Sequence, residues 1–132
     1  MVNSGGYLLD TNVFLWANEN YAKVSPEAKI ALAEPSAPLY VSVASLWEMQ
    51  IKHGLGKLFL PDDIDRIAIR YADKIKTDFL AITLGHVGTL YRLPMIHRDP
   101  FDRMLIAQAL AEGLTIVSPD PVLREYGAPV LW

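Results

Sequence analysis

Apolar and polar positions follow two rhythms along this chain. Short apolar runs at 7–9, 39–41, 79–82 and 114–117, with a last one at 129–132, are flanked by polar or turn-forming residues and read as buried strands. Longer segments with helix start signals lie between them. Asp10 precedes 11–17, Ser25-Pro26 precedes 27–34, and Ser42 precedes 43–53. Asp62-Asp63 opens a charged, amphipathic stretch to 76, and Asp99-Pro100 precedes 101–112. Gly54, Gly56 and Gly113 stand where helices should stop, and 93–98, with Pro94 inside it, reads as irregular. Strands alternating with helices predict an α/β fold, a parallel sheet with helices on both faces. Neither a repeat nor a linker interrupts 7–132, so one domain is expected there, with residues 1–6 as a short tail.

Composition narrows the class. Apolar residues make up 52% against 20% charged, enough to fill a globular core rather than a disordered chain. Cysteine is absent, which excludes disulfides, thiolate chemistry and cysteine-based zinc or iron–sulfur centres. No apolar run approaches a membrane span, and the start MVNSGG is polar and small, without a legible signal peptide. A cytoplasmic protein with no membrane partner is the expectation. The net charge of −3 argues against a broad basic face for nucleic acid. It leaves a nuclease open, because carboxylates gathered to bind a cation count as negative until the metal arrives.

Four acids carry the candidate chemistry. All strands of a parallel sheet end at one edge, so the residues that follow each strand converge there, where ligands bind. Asp10 follows the first strand, Glu48 lies about two turns into the helix after the second, and Asp120 follows 114–117. Asp102 sits in the first turn of the helix before that last strand. Each has a plain structural reading. Asp10, Asp99 and Asp120 are good helix caps, Asp102 is a favourable first-turn acid, and Glu48 can pair with Lys52 four residues on. Together they say more, since several carboxylates in a partly dry crevice resist ionisation unless a cation compensates. Oxygen donors without cysteine point to Mg²⁺, or Mn²⁺. His53, His86 and His97 have no paired spacing that would suggest zinc.

At these residues the chain resembles a known family. Leu8-Leu9-Asp10-Thr11-Asn12, Ser45-Leu46-Trp47-Glu48-Met49, the stretch HRDPFDRMLIAQA at 97–109 and Val117-Ser118-Pro119-Asp120 are similar, in order, to the acidic motifs of bacterial PIN-domain toxins of the VapC type. The likeness runs from about Tyr7 to Trp132. It implies a PIN-like three-layer α/β/α sandwich with parallel strand order 3-2-1-4-5. It also implies Mg²⁺-dependent endoribonuclease activity, an RNA substrate, a cognate antitoxin protein and a homodimer. Matched by position, Asp10, Glu48, Asp102 and Asp120 resemble the four catalytic acids, and Asp10, Asp102 and Asp120 the metal ligands. Asp99 resembles an extra acid of this subgroup, placed as a cap or behind the ligands. Ser118 stands where a hydroxyl can hold a water or a carboxylate near the metal.

In this reading Glu48 orients the attacking water, holds a second ion or takes the proton. Lys52, Lys57, Arg98 and Arg103 flank the acids, either as contacts to RNA phosphates or as solvated surface charge. Trp16, Trp47 and Trp132 read as core or interface residues rather than base-stacking platforms. Other α/β classes with an acidic edge fit less well. A haloacid-dehalogenase-type phosphatase needs a second Asp two residues after the first, where Asn12 stands. A phosphoacceptor receiver domain gives no reason for Glu48 inside a helix beside Trp47. The alternative that keeps the fold is a non-catalytic module that binds RNA or protein. If the metal reading holds, the carboxylates of Asp10, Asp102 and Asp120 belong on one edge of the sheet.

Overall fold

The computed structural model describes residues 5–132. The chain runs β1 (Tyr7–Leu9), α1 (Thr11–Glu19), a 3₁₀ turn (Tyr21–Lys23), α2 (Pro26–Ala33), β2 (Leu39–Ser42), α3 (Val43–Gly54), α4 (Ile64–Lys74) and β3 (Thr77–Leu80). It continues with α5 (Leu84–Arg92), α6 (Pro100–Glu112), β4 (Thr115–Val117), a second 3₁₀ turn (Pro121–Tyr126) and β5 (Val130–Leu131). All strand pairs are parallel, in the order β3-β2-β1-β4-β5. This is the PIN-like order 3-2-1-4-5. The chain steps outward from β1 to β3, then returns to the other side of β1 as β4, and that reversal opens a crevice beyond the ends of β1 and β4.

Alternation along the strands builds the three layers. Leu8 pairs with Tyr40 and Ile116, while Leu9 pairs with Val41 and Val117. Successive side chains point to opposite faces. Leu9, Val41 and Val117 therefore join Phe14, Val24, Ala28, Met49 and Ile67 in one core, under α1 to α4. Leu8, Tyr40 and Ile116 join Leu105, Ile106, Leu123 and Tyr126 in the other, under α6 and the second 3₁₀ turn. No helix among the described residues is long and apolar enough to cross a membrane.

The start signals act as expected. Ser25 Oγ accepts from Ala28 N at 3.1 Å, Ser42 Oγ from Ala44 N at 3.0 Å, and Asp99 Oδ1 from Phe101 N at 2.9 Å. Gly113 ends α6 in the left-handed region at φ 68°, which costs glycine no Cβ clash. Of the expected tail, residues 1–4 lie outside the described residues. Gly5 and Gly6 hydrogen-bond across to the β4 side, Gly5 N to Gly113 O at 3.2 Å and Thr115 N to Gly6 O at 3.1 Å.

Two elements depart from the sequence reading. The third strand is Thr77–Leu80 rather than 79–82, because Lys76, at φ 54°, turns the chain straight from α4 into the sheet and the register pairs Thr77 with Leu39. Its apolar residues do not mark its depth, since Phe79 is 44% exposed on this edge strand. Helix α5 gave no signal, since Gly85 and Gly88 lower its propensity. It is held by a capping box, in which Thr83 N donates to His86 Nδ1 at 3.1 Å and His86 N to Thr83 Oγ1 at 3.2 Å. With Nδ1 accepting, His86 Nε2 carries the proton and donates to Glu112 Oε1 at 2.9 Å, tying α5 to α6. His86 is thus a buried structural group.

Ile116 is fully buried in the second core, whereas Phe79 is not. Ile116→Ala is expected to cost about 2–5 kcal/mol, as typical for a large-to-small change in a packed core. Phe79→Ala should cost less than half as much. Urea denaturation midpoints at unchanged slope measure both.

Candidate metal centre

Asp10 is fixed before any ligand arrives. Its N–H donates to Val117 O at 3.0 Å, holding the residue against β4. Oδ1 accepts from Asn12 N at 3.2 Å, capping α1, and Oδ2 accepts from the Ser118 hydroxyl at 2.6 Å. Ser118 is buried, and its Oγ also accepts from Asp120 N at 3.1 Å. One hydroxyl thus links the acid at the end of β1 to the loop that carries the acid after β4.

Glu48 reaches the same edge from α3. It is buried, with Oε1 accepting from the Thr11 hydroxyl at 2.7 Å and Oε2 paired with Lys52 Nζ at 2.7 Å. Thr11 Oγ1 also lies 2.9 Å from Ser45 Oγ. The pairing with Lys52 that helical spacing suggests is therefore made, on the site side of the helix. Hydrogen bonding to Glu48 holds Lys52 above the ordinary lysine range, against burial and with help from the charges of Glu48, Asp99 and Asp102.

Asp102 projects from the first turn of α6, and Asp99 caps that helix, with Oδ1 accepting from both Phe101 N and Asp102 N at 2.9 and 3.3 Å. Asp120 caps the second 3₁₀ turn, with Oδ1 accepting from Val122 N at 3.0 Å. Its other oxygen is left facing His97. Burial pushes the Asp102 carboxyl up to about 7, reinforced by the charges of Asp99, Asp10 and Glu48 and opposed by the hydrogen bond from His97. Asp10 is raised for the same first reason, with Glu48 and Asp120 adding to it and the bonds from Ser118 and Asn12 working against it. These carboxyls resist ionising because each is partly dry and near the others.

That donor set suits a hard divalent cation. His97, Asp102 and Asp120 bring ligand atoms within 4.8 Å of one another, while Asp10, joined to the Asp120 loop through Ser118, lies outside that group. A positive ion would offset the burial and the mutual repulsion that push the carboxyls of Asp10 and Asp102 up. Glu48 already faces the charge of Lys52 as well as the Thr11 hydroxyl, so it stands beside such an ion as an anchored neighbour.

Two residues fall in places that their types did not announce. His97, lacking a paired histidine, stands with Nε2 2.9 Å from Asp102 Oδ2 and 3.9 Å from Asp120 Oδ2. The signal was its position five residues before Asp102, in the loop leading into α6. Arg103, expected at the surface or on RNA, is buried instead. It donates to Pro94 O at 2.8 Å and to Tyr126 Oη at 3.2 Å, fastening the loop ahead of α6. Lys52, Lys57 and Arg98 remain around a cleft of about 420 Å³ next to Glu48 and Asp99. Trp47 is 56% exposed, which removes it from the core, and it packs edge-on to Phe101 at 5.4 Å.

The sign of the pH dependence follows from the raised acids. A carboxyl whose folded pKa exceeds its unfolded value stabilises the fold fully below the unfolded pKa, and that contribution is lost as pH rises through the folded one. For Asp102 the window runs from the ordinary aspartate value of 3.8 to about 7. In EDTA, thermal melts should therefore show a lower Tm near about pH 8 than near about pH 5. Asp102→Asn should flatten that slope. Mg²⁺ should raise the Tm of the parent most at the upper end.

Comparison with known proteins adds the family. The family described as PIN domain matches residues 7–129. No curated protein matches the chain in sequence. Among solved structures, the chain is similar to DNA-bound VapBC from Salmonella typhimurium, with TM-score 0.71, 15% identity and 96% of each chain covered. It is also similar to VapBC2 from Rickettsia felis bound to a promoter DNA fragment, with TM-score 0.69, 14% identity, and 95% of this chain and 96% of that one covered. FitAcB from Neisseria gonorrhoeae follows at TM-score 0.62 and 16% identity, with 96% of each chain covered. At such identities the likeness speaks for the fold, and the match over 7–129 for descent: the chain belongs to the PIN domain family.

Proposed function

We propose that this protein is a metal-dependent endoribonuclease, the toxin of a toxin–antitoxin pair, with Asp10, Glu48, Asp102 and Asp120 as its catalytic acids. Asp10, Asp102 and Asp120 hold Mg²⁺, or Mn²⁺ in its place. The observation that carries this reading is the meeting of acids from separate elements at one sheet edge, where Ser118 ties Asp10 to the Asp120 loop and Asp102 and Asp120 stand around His97. Such crowding is costly in a fold that binds no cation. RNA is the substrate, a cognate antitoxin and a second copy of the chain are the protein partners, and the cytoplasm is the setting. The VapBC and FitAcB structures that the chain resembles support the antitoxin assignment by analogy of fold.

When bound, the ion supplies Lewis acidity at a phosphoryl oxygen and lowers the pKa of a water. This chain's own residues do the rest. Ser118 keeps Asp10 Oδ2 aimed into the crevice, and the Asp120 backbone is held by the same hydroxyl. Thr11 and Lys52 fix Glu48 from both sides, so its carboxylate orients the attacking water rather than swinging toward a second ion. Lys52, Lys57 and Arg98 line the adjoining cleft and receive the phosphates of the RNA strand. The net charge of −3 limits this to a local contact.

Purified protein freed of its antitoxin, incubated with structured RNAs, tests the reading. Cleavage is expected with Mg²⁺ or Mn²⁺ and none in EDTA. Asp102→Asn keeps the shape and removes the charge, and cleavage should fall by about a hundredfold or more with the circular dichroism unchanged. Asp99→Asn preserves the cap on Phe101 N and should cost little stability and much less activity. RNA that is bound by the parent yet never cut would mark a non-catalytic binding module. Equal, modest losses in both variants would refute the division of roles.

A further inference from the structure

The loop between α5 and α6 places an imidazole against two of the acids, and its placement is built rather than incidental. His97 N donates to the hydroxyl of Tyr126 at 2.6 Å, and the same hydroxyl lies 3.4 Å from His97 O. Arg103 braces this arrangement from below. Its Nη1 reaches Tyr126 Oη at 3.2 Å and Pro94 O at 2.8 Å, and its Nη2 lies 3.5 Å from Leu90 O. Both Tyr126 and Arg103 are buried, so two side chains from separate elements fix the backbone of this one histidine.

At the other end of the side chain, Nε2 stands 2.9 Å from Asp102 Oδ2 and 3.9 Å from Asp120 Oδ2, and the ligand atoms of all three residues lie within 4.8 Å of one another. Donors around an octahedral ion at about 2.1 Å stand roughly 3.0 Å apart when adjacent and roughly 4.2 Å apart when opposite. The 2.9 Å separation matches adjacent donors, and the 3.9 Å one is a few tenths of an ångström short of opposite donors. Side-chain adjustments on the order of an ångström then let one ion meet His97, Asp102 and Asp120.

We propose that His97 is a metal ligand through Nε2, beside Asp102 and Asp120, and that this nitrogen donor makes the centre prefer Mn²⁺ over Mg²⁺. The proposal rests on the metal-dependent reading above. Mg²⁺ is a hard ion that keeps oxygen ligands and gives up water reluctantly, whereas first-row transition ions accept imidazole. Ligation through Nε2 leaves the proton on Nδ1. The hydrogen bond that Asp102 shares with His97 in the metal-free protein is then replaced by a common bond to the ion.

Mn²⁺ titrated into the full-length protein, followed by electron paramagnetic resonance, gives a readout separate from catalysis. Pulsed spectra of the parent should show ¹⁴N coupling from a directly bound imidazole, changed on labelling histidine with ¹⁵N. His97→Gln should lose that coupling and weaken Mn²⁺ binding by roughly tenfold or more, with Mg²⁺ affinity changing less in competition. The parent spectra decide the ligand even if the variant folds poorly. Mn²⁺ bound by the parent without nitrogen coupling overturns the proposal, as does an unchanged Mn²⁺ to Mg²⁺ preference in folded His97→Gln. Asp102→Asn separates the two levels of inference. If it binds Mn²⁺ as the parent does, the metal centre itself is wrong and His97 falls with it. If it loses Mn²⁺ while His97→Gln binds as before, only the assignment of His97 fails.

Discussion

The parallel pairing of β1 with β2 on one side and β4 on the other is the constraint from which the candidate site descends. Because Leu9 is in register with both Val41 and Val117, the residues that follow these strands emerge side by side at one edge. Asp10 N–H continues the ladder by one bond to Val117 O, which carries the regularity of the sheet into the site itself. Breaking that pairing would disperse Asp10, Ser118 and the loop to Asp120 together. A scaffold of strands and capped helices positions acids more accurately than loops alone can.

Electrostatic crowding is the cost of that convergence, and the fold answers it unevenly. Glu48 is the deepest of the acids off the strand ends, yet it is matched by Lys52 and Thr11. Asp10 has only neutral donors in Ser118 and Asn12, and Asp102 has only His97. Asp10 and Asp102, neither of them matched by a lysine or arginine, have their carboxyls pushed up, chiefly by burial. The division separates an anchored acid from acids that gain most when a cation enters.

Caps serve two purposes here. Asp10, Asp99 and Asp120 each satisfy backbone N–H groups at a helix or 3₁₀ start through one oxygen. For Asp10 and Asp120 the second oxygen faces the crevice, toward Ser118 in one case and His97 in the other. The structural reading of these acids and the functional one are therefore not rivals. A capping aspartate has a fixed backbone and a second oxygen held in a set direction, the condition a preorganised ligand needs.

The sequence by itself determined much of this. Apolar runs and cap signals located all the strands to within two residues and most of the helices, and strand-end acids marked the edge where Asp10, Glu48, Asp102 and Asp120 gather. These are local properties, set by periodicity and by the first turn of each helix. Tertiary structure decided what depends on partners distant in the chain. Helix α5 exists through His86, whose ring reaches both Thr83 and Glu112, and two glycines hid it from any propensity. Arg103 looks like a surface cation in sequence and becomes a buried brace because Pro94, Leu90 and Tyr126 surround it with acceptors. His97 has no partner histidine to flag it. Only the packing of its loop over α6, held through Tyr126, brings its ring to two carboxylates that lie 5 and 23 residues further along the chain.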